Sequence, residues 1–304
     1  MQTNPLVSII MNCYNSDIYL KEAIDSVLNQ TYTNFELIFW DNQSTDKSAS
    51  IVKSYNDKRI RYFYAPTHTS LGEGRNQALK KVNGKYISFL DCDDLYLPQK
   101  IESTLSAFNN NIGLVYTNGY ILYEEIGEKK AFYVKQQVSG NMFEEWIRSY
   151  QVMIPSVMFK KEVLTSLEYW FDERFSMIEE FDFFVRIAKN NKVAYVDEKL
   201  CVWRAHSGSL TWTKKELFEK ENKIFLKNIL EKYPLLKEKN VIKHFEAKIA
   251  YHQFYNEWQL NKKPNRLLLK PYIFLDKRLL VIYFLSFFGL STFNRVLKFL
   301  GKNI

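Results

Sequence analysis

Apolar runs and segments of helical period alternate along the first 120 positions of the chain. Residues 6–11 (L-V-S-I-I-M) form a short apolar, β-branched run that predicts a buried strand. Beyond it Leu20, Ala23, Ile24, Val27 and Leu28 recur at helical spacing, with Ser16 or Asp17 placed to cap the helix. Residues 35–40 predict a second strand and 47–55 a second helix. Residues 60–64, 72–82 and 86–90 continue as strand, helix and strand, and 101–108 with 113–117 repeat the alternation. Strands of about five residues between helices of ten or more imply βαβ units and a mostly parallel sheet covered on both faces. Ligands of such sheets sit beyond the carboxyl ends of the strands.

After position 118 the alternation degrades. Residues 120–133 read as an irregular hairpin, 141–150 as a short helix, 179–190 as a helix, and 193–196 with 200–204 as two closing strands. From Thr213 onward the pattern is helical, with Lys- and Glu-rich amphipathic segments near 213–232 and 238–260, and no internal repeat is visible. Charge changes at the same place. Residues 211–304 hold 19 Lys and Arg against 8 Asp and Glu, a net of +11, whereas the first 210 hold 23 against 26, a net of −3. The expected organisation is a body at 1–210, with halves at about 1–118 and 119–210, and a basic helical extension at 211–304. Such asymmetry points to an anionic surface met by the extension.

Composition narrows the classes. With 304 residues, 46% hydrophobic and 16% aromatic, the chain can bury a sizeable core, which excludes disordered, collagen-like and low-complexity proteins. Three separated cysteines, with no C-x-x-C pair, form neither a disulfide framework nor a zinc site. No signal peptide is visible before the first strand, so a reducing cytoplasmic setting is expected. Residues 279–294 are sixteen uncharged positions between basic flanks, short of the ~20 needed to span a bilayer. They predict a helix in the interface of an anionic membrane, peripheral on the inner face of the cell membrane. The alternatives are a helix packed on the body or a homo-oligomer contact. Nucleic acid is not expected, because the aromatics lie in apolar runs rather than among lysines.

Three loops at predicted strand ends hold the polar groups: Asn12-Cys13-Tyr14-Asn15, D-N-Q-S-T-D at 41–46, and Asp91-Cys92-Asp93-Asp94. Two carboxylates one residue apart on a pleated chain project to the same side and can share a divalent cation. Oxygen ligands suit Mg²⁺ or Mn²⁺, completed by water and substrate phosphates. A lone D-x-D is more simply a solvated turn ahead of a helix. Beyond an apolar strand, in a chain where two other strands end in polar loops, the metal reading prevails.

The ordered succession Y-N, N-Q-T-Y, F-E-L-I-x-x-D-x-x-S-T-D, G-x-x-R-N and G-K-Y-I-x-F-L-D-x-D-D resembles the family 2 glycosyltransferases over roughly residues 5–210. The resemblance implies an α/β chain of the GT-A nucleotide-sugar-binding fold, with a mostly parallel central sheet followed here by the helical C-terminal extension. It also implies a nucleotide-sugar donor, Mn²⁺ or Mg²⁺, and inversion at the anomeric carbon.

Carried over by position, Tyr14 falls where relatives stack the donor's base and Asn12 at another nucleoside contact. Asp41 matches a nucleoside-binding acid. Asn42 stands where many relatives carry a second Asp; its amide both donates and accepts, and a UDP-sugar stays the first expectation. The Ser44-Thr45-Asp46 triplet suits a ligand and a helix cap equally. Arg75, in L-G-E-G-R-N, falls near the pyrophosphate, where it would neutralise phosphate or orient Asp91. Asp91 matches the ribose or metal-shell aspartate and Asp93 the direct metal ligand, with Asp94 a structural cap and Cys92 a buried thiol. E-E-F-D-F-F-V-R at 179–186 resembles the family's E-D-Y-D-L-x-x-R helix start. It implies Glu180 as general base, with Glu179 the alternative and Asp182 structural, although helix dipoles alone also gather acids there. V-W-R-A-H-x-x-S-x-T at 202–211 resembles the segment that closes the site. It implies His206 on the metal or the departing diphosphate, and Arg204 on a phosphate. His68, His244 and His252 show no partnering pattern.

The activity so implied is metal-dependent, inverting transfer of a hexosyl or N-acetylhexosaminyl group. The acceptor would be a hydroxyl of a glycan or lipid-linked molecule in bacterial-type surface polysaccharide synthesis. A sugar nucleotidyltransferase is the enzymatic alternative, but N-C-Y-N-S-D stands where its phosphate-binding loop would be. An inactive donor-binding subunit at the membrane is the other alternative, opposed by the retained Asp91, Asp93 and Glu180. Residues 119–178, which face the acceptor, carry no readable motif.

Overall fold

In β1 (Val7–Cys13) successive side chains turn to opposite faces, and both faces are covered, so all but Asn12 are buried. Val7, Ile9, Met11 and Cys13 join Phe35, Leu37 and Phe39 of β2 (Phe35–Asp41) in one core. Leu20, Ala23, Ile24 and Val27, one face of α1 (Asp17–Leu28), close that core from above. A computed structural model describes residues 4–209, 214–261 and 263–299. Thr211 and Thr213, which end and begin two segments of the sequence reading, lie outside the described residues.

The strands β3 (Ile60–Tyr64), β2, β1 and β4 (Tyr86–Phe89) lie side by side and parallel, with α2 (Ser48–Lys53) and α3 (Leu71–Leu79) in the crossovers. Beyond β4 the sheet is mixed. β8 (Met158–Lys160) is antiparallel to both β4 and β6 (Ile112–Tyr123), and β9 (Lys192–Ala205) is parallel to β6. β5 (Leu95–Tyr96) ends the sheet against β9, while β7 (Glu128–Ala131) makes a hairpin with β6. The intervening helices are α4 (Lys100–Ser106), α5 (Phe143–Arg148) and α6 (Glu179–Asn190). On the sheet face opposite α1, Phe89, Phe159, Phe171, Phe183 and Phe184 form an aromatic cluster with ring centroids 4.2–6.4 Å apart.

Two differences from the sequence pattern have simple causes. The two closing strands are a single one: β9 runs on through exposed Asp197, Glu198 and Lys199, which interrupt its apolar period, and pairing with β6 resumes at Lys199. Its register against β6 shifts there, between Thr117 and Asn118 and again between Asn118 and Tyr120. β5 and β8 are two and three residues long, too short to carry a period.

By its contacts the chain divides into two compact units, Met1–Trp146 with Tyr150–Thr213, and Ile147–Ser149 with Lys214–Ile304. The second contains α7 (Leu217–Lys232), α8 (Asn240–Asn261), α9 (Lys277–Leu285) and α10 (Leu290–Phe299). Phe254 and Trp258 of α8, Leu279 and Ile282 of α9 and Phe293 of α10 share a core there. No helix among the described residues is long and apolar enough to cross a membrane.

One charge in the first unit is buried away from any acid. Lys100 Nζ donates to Ser88 Oγ and, at 3.2 Å, to the Val157 carbonyl, and it sits 4.3 Å from the Tyr96 ring centre. Burial lowers its amine to about 7, whereas an unfolded lysine keeps its proton to about 10.4. Between those values the unfolded chain binds more protons, so stability rises with pH by at most about 1.4 kcal/mol per pH unit. Lys100→Met is expected to raise the urea midpoint near pH 7 and to flatten that rise. A stability–pH curve parallel to that of the wild type would show that Lys100 keeps its proton in the fold.

Candidate active site

Parallel pairing sets the carboxyl ends of β1 and β2 level, with Cys13 opposite Asp41, and the loops that follow bind each other. Asn15 and Gln43 take left-handed backbone angles, φ +49° and +69°, which leaves their loops compact. Asn15 Oδ1 accepts the Thr45 amide at 2.8 Å, and Ser44 Oγ accepts the Asn15 amide at 3.1 Å. Asp46 accepts the Asp17 amide at 3.0 Å and the Ser48 amide at 2.9 Å. The first turn of α1 is therefore held from the neighbouring loop, while Ser16 Oγ turns to the Tyr14 carbonyl.

The polar groups expected to read a base are engaged within the protein. Asp41 is fully buried; one carboxylate oxygen accepts the Ser44 amide at 2.7 Å and the other the Tyr62 hydroxyl at 2.6 Å. Asn42 donates to the Thr69 carbonyl at 2.8 Å and accepts the Thr69 amide and hydroxyl at 3.1 Å each. Both are expected at the nucleoside; in the fold their polar atoms also bond neighbouring segments, as burial favours. Tyr14 is half exposed, with its ring centre 4.3 Å from that of His68, whose Nδ1 lies 2.9 Å from the Asn42 carbonyl oxygen. No local pattern singles out His68, since 54 positions separate it from Tyr14 and only the fold brings them together. Asn12 has both amide atoms buried without a partner, as does the Trp40 Nε1 opposite it. A Cβ at Gly74 would stand 3.0 Å from Asn12 Nδ2, which explains the small residue in L-G-E-G-R-N.

A buried arginine joins two distant segments. Arg75 is 1% exposed. It pairs with Asp91 at 3.0 Å through Nη2 and with Glu179 at 2.5 Å through Nη1, 104 positions away. Its guanidinium carbon lies 5.8 and 5.5 Å from the ring centres of Phe89 and Phe171. Of the two roles expected for Arg75, orienting Asp91 is the one the geometry contains. Burial raises the Asp91 carboxyl, and Arg75 partly offsets that. Glu179, the alternative base, is buried in this ion pair, so its carboxylate is committed. Glu180 beside it is half-buried; burial first, then the Glu179 charge, pushes it up to about 8. Asp182 is held by Arg186 at 2.6 Å. Tyr150, whose ring centre lies 5.1 Å from that of Phe181, keeps a buried hydroxyl without a partner.

The third loop meets the end of β9. Asp93 Oδ2 lies 3.0 Å from His206 Nε2, their side chains 33% and 20% exposed, and the hydrogen bond to Asp93 raises the His206 imidazole. Arg204, expected on a phosphate, is spent elsewhere. Its backbone amide donates to Asp94 at 2.9 Å and its Nε to the Asp93 carbonyl at 2.9 Å. Its two terminal nitrogens pair with Glu124 at 2.6 Å and Glu22 at 2.7 Å. It therefore shapes the D-C-D-D turn. Asp94 is buried under that contact, and Cys92 is buried with its thiol on the Asn12 carbonyl at 3.2 Å. Among the described residues no three His, Cys, Asp or Glu side chains gather about one point. The partly open Asp93 and His206, with Asp91 two residues back, still fit a cation of the Mg²⁺ class. Such ions keep several waters and take their remaining ligands from substrate phosphates.

Residues 8–164 match the family model described as Glycosyl transferase family 2. An uncharacterized glycosyltransferase of Rickettsia typhi is 30% identical, across 99% of this chain and 98% of its own. S. aureus TarS 1-349 in complex with UDP-GlcNAc superposes with a TM-score of 0.60 at 19% identity, over 84% of this chain and 76% of that one. The mannosyltransferase PcManGT from Pyrobaculum calidifontis, in complex with GDP-Man and Mn²⁺, gives 0.59 at 15% identity over 83% and 72%.

Removing one member of a buried ion network leaves an uncompensated charge. Arg75→Met should therefore cost about 3–5 kcal/mol in urea denaturation. Adding Glu179→Leu should recover part of that loss, because one stranded carboxylate is gone. Strictly additive losses in the double variant would show that the two residues are not coupled.

Proposed function

The chain belongs to glycosyltransferase family 2, and we propose that it moves a sugar from a nucleotide diphosphate sugar, UDP-linked, to an acceptor hydroxyl with inversion. In this reading residues 1–210 are the GT-A domain, with the donor bound mainly by 1–118 and the acceptor by 119–210. The acceptor is a glycan or a lipid-linked molecule of bacterial-type surface glycoconjugate synthesis. Residues 211–304 attach the enzyme peripherally to an anionic membrane on its cytoplasmic side. The observation that carries the proposal is the Asp91–Arg75–Glu179 bridge, which sets the helix bearing Glu180 against the D-C-D loop.

The roles follow from what each side chain has left to offer. Tyr14 and His68 present ring faces to a base, and Asn12 supplies the unpaired amide. Asp93 and His206, with Asp91, would hold Mn²⁺ or Mg²⁺, which neutralises diphosphate charge and eases departure of the leaving group. Glu180 accepts the proton of the acceptor hydroxyl as that oxygen forms its bond to the anomeric carbon and the bond to the diphosphate breaks on the opposite face. Arg75 and Arg204 act through the acids they hold. The Mn²⁺ and GDP-Man of PcManGT and the UDP-GlcNAc of TarS support the donor and metal classes by analogy of fold.

Asp93→Ala should abolish transfer and weaken binding of the nucleotide diphosphate chiefly when Mn²⁺ is present, as read by calorimetry. Wild-type turnover undiminished by EDTA would remove the metal from this reading.

Glu180→Gln should lower turnover by about 10²–10⁴-fold with donor affinity kept. A base works deprotonated, so with Glu180 raised to about 8 the wild-type rate should climb through that pH and level above it. The climb should be absent in Glu180→Gln. Glu179→Gln, by contrast, should lose stability along with activity; an intact melting temperature with lost turnover would move the base to Glu179.

A further inference from the structure

The segment around α9 carries apolar side chains both inward and outward. Leu279 and Ile282 are buried with Phe254, Trp258 and Phe293. On the other side Val281 is 49% exposed and Phe284 58%, followed by Phe287 at 57% and Phe288 at 69%, while Phe274 ahead of the helix is 91% exposed. Positions 277, 281, 284 and 288 recur at intervals of four and three, so Lys277 heads a stripe of Val281, Phe284 and Phe288. A helix that packs one face on a core normally turns charged residues outward. Beyond Lys277 and Arg278 this one has none, and the uncharged run continues to Asn294. Apolar side chains exposed singly need no account, but a contiguous group marks a contact surface.

Length and charge decide what the surface meets. Nine helical residues measure about 13.5 Å, less than half of the ~30 Å hydrocarbon core, so the element lies in the interface if it meets lipid. Lys277 is exposed and Arg278, itself paired with Asp276 at 2.6 Å, is 70% exposed. Arg266, bonded to Ser286, stands 3.8 Å above the ring centre of exposed Phe287, so a guanidinium lies beside the apolar group. Two copies apposed on this face would bring these cations, and a net of +11 from each extension, against one another. An anionic leaflet would instead attract them.

We infer that this face is a membrane-insertion surface. Phe274, Val281, Phe284, Phe287 and Phe288 enter the boundary between headgroups and acyl chains of an anionic phospholipid leaflet, and Lys277 meets the lipid phosphates. The inference rests on the reading of residues 211–304 as a membrane attachment, and it adds the depth and the residues of contact.

The test uses the full-length protein and vesicles of phosphatidylcholine with and without phosphatidylglycerol, sedimented at low and high salt. The wild type should bind the phosphatidylglycerol vesicles and leave a fraction that salt does not release. Phe284→Ser with Phe288→Ser should lower the partition coefficient by at least about tenfold and remove that fraction. Lys277→Gln should lower it about fivefold, only at low salt. Since Cys13, Cys92 and Cys201 are buried, Phe288→Cys can be labelled with an environment-sensitive fluorophore, whose emission should shift to the blue on vesicles. All these side chains are exposed, so unchanged melting temperatures should accompany each variant. No binding by the wild type would overturn both the attachment and the inference. Binding wholly released by salt, undiminished in the double serine variant and without a spectral shift, would overturn the insertion surface alone. A wild-type dimer that the double variant dissociates, with no vesicle affinity, would assign the face to a second copy and overturn the inference.

Discussion

A single buried guanidinium constrains this site. Arg75 has given up water entirely, and its charge is tolerable only because two carboxylates compensate it, one from the loop after β4 and one from the start of α6. The pairing reaches across 104 positions and fixes the distance between the D-C-D loop and the acids of α6. With Glu179 paired to Arg75, its neighbour Glu180 has a carboxyl raised by burial and then by Glu179 itself. Two adjacent glutamates in the sequence thus acquire different chemistry from one ion pair.

The same economy governs the other loops. Asp41, Asn42 and Asp46 bond backbone amides, a backbone carbonyl and hydroxyls of neighbouring segments. Arg204 does so for the turn carrying Asp93 and Asp94. Buried polar groups must be paired, and these pairings make a rigid frame at the carboxyl ends of the strands. What the frame leaves open is small: the Tyr14 ring beside His68, the orphaned amide of Asn12, and the Asp93–His206 pair. The proposed function assigns those groups to the donor and the cation. The second unit shows the converse, since α9 buries one apolar face and leaves another uncovered.

Much of this was legible in the residues. Apolar runs of five and helices at 3.6 spacing located β1 to β4 and α1 to α4, because a strand covered on both faces must be apolar throughout. The ordered motifs of residues 5–210 placed the family. The change of charge near 210 marked the basic extension.

Tertiary structure alone decided which of those residues remained available. Asp41 and Glu179 bear the same carboxylate as Asp93 and Glu180, and Asn42 and Arg204 stand in the same motif segments; local pattern does not show which of them the fold pairs. Their partners, Tyr62, Thr69, Glu22 with Glu124, and Arg75, lie between 21 and 182 positions away. His68 became visible only when the sheet set it against Tyr14, and β5, β8 and the continuity of β9 only through hydrogen bonds to strands elsewhere. Sequence determines which groups a loop carries, through composition and period. Which of them are consumed by the fold depends on contacts that no local period records, because burial and pairing are properties of neighbours in space.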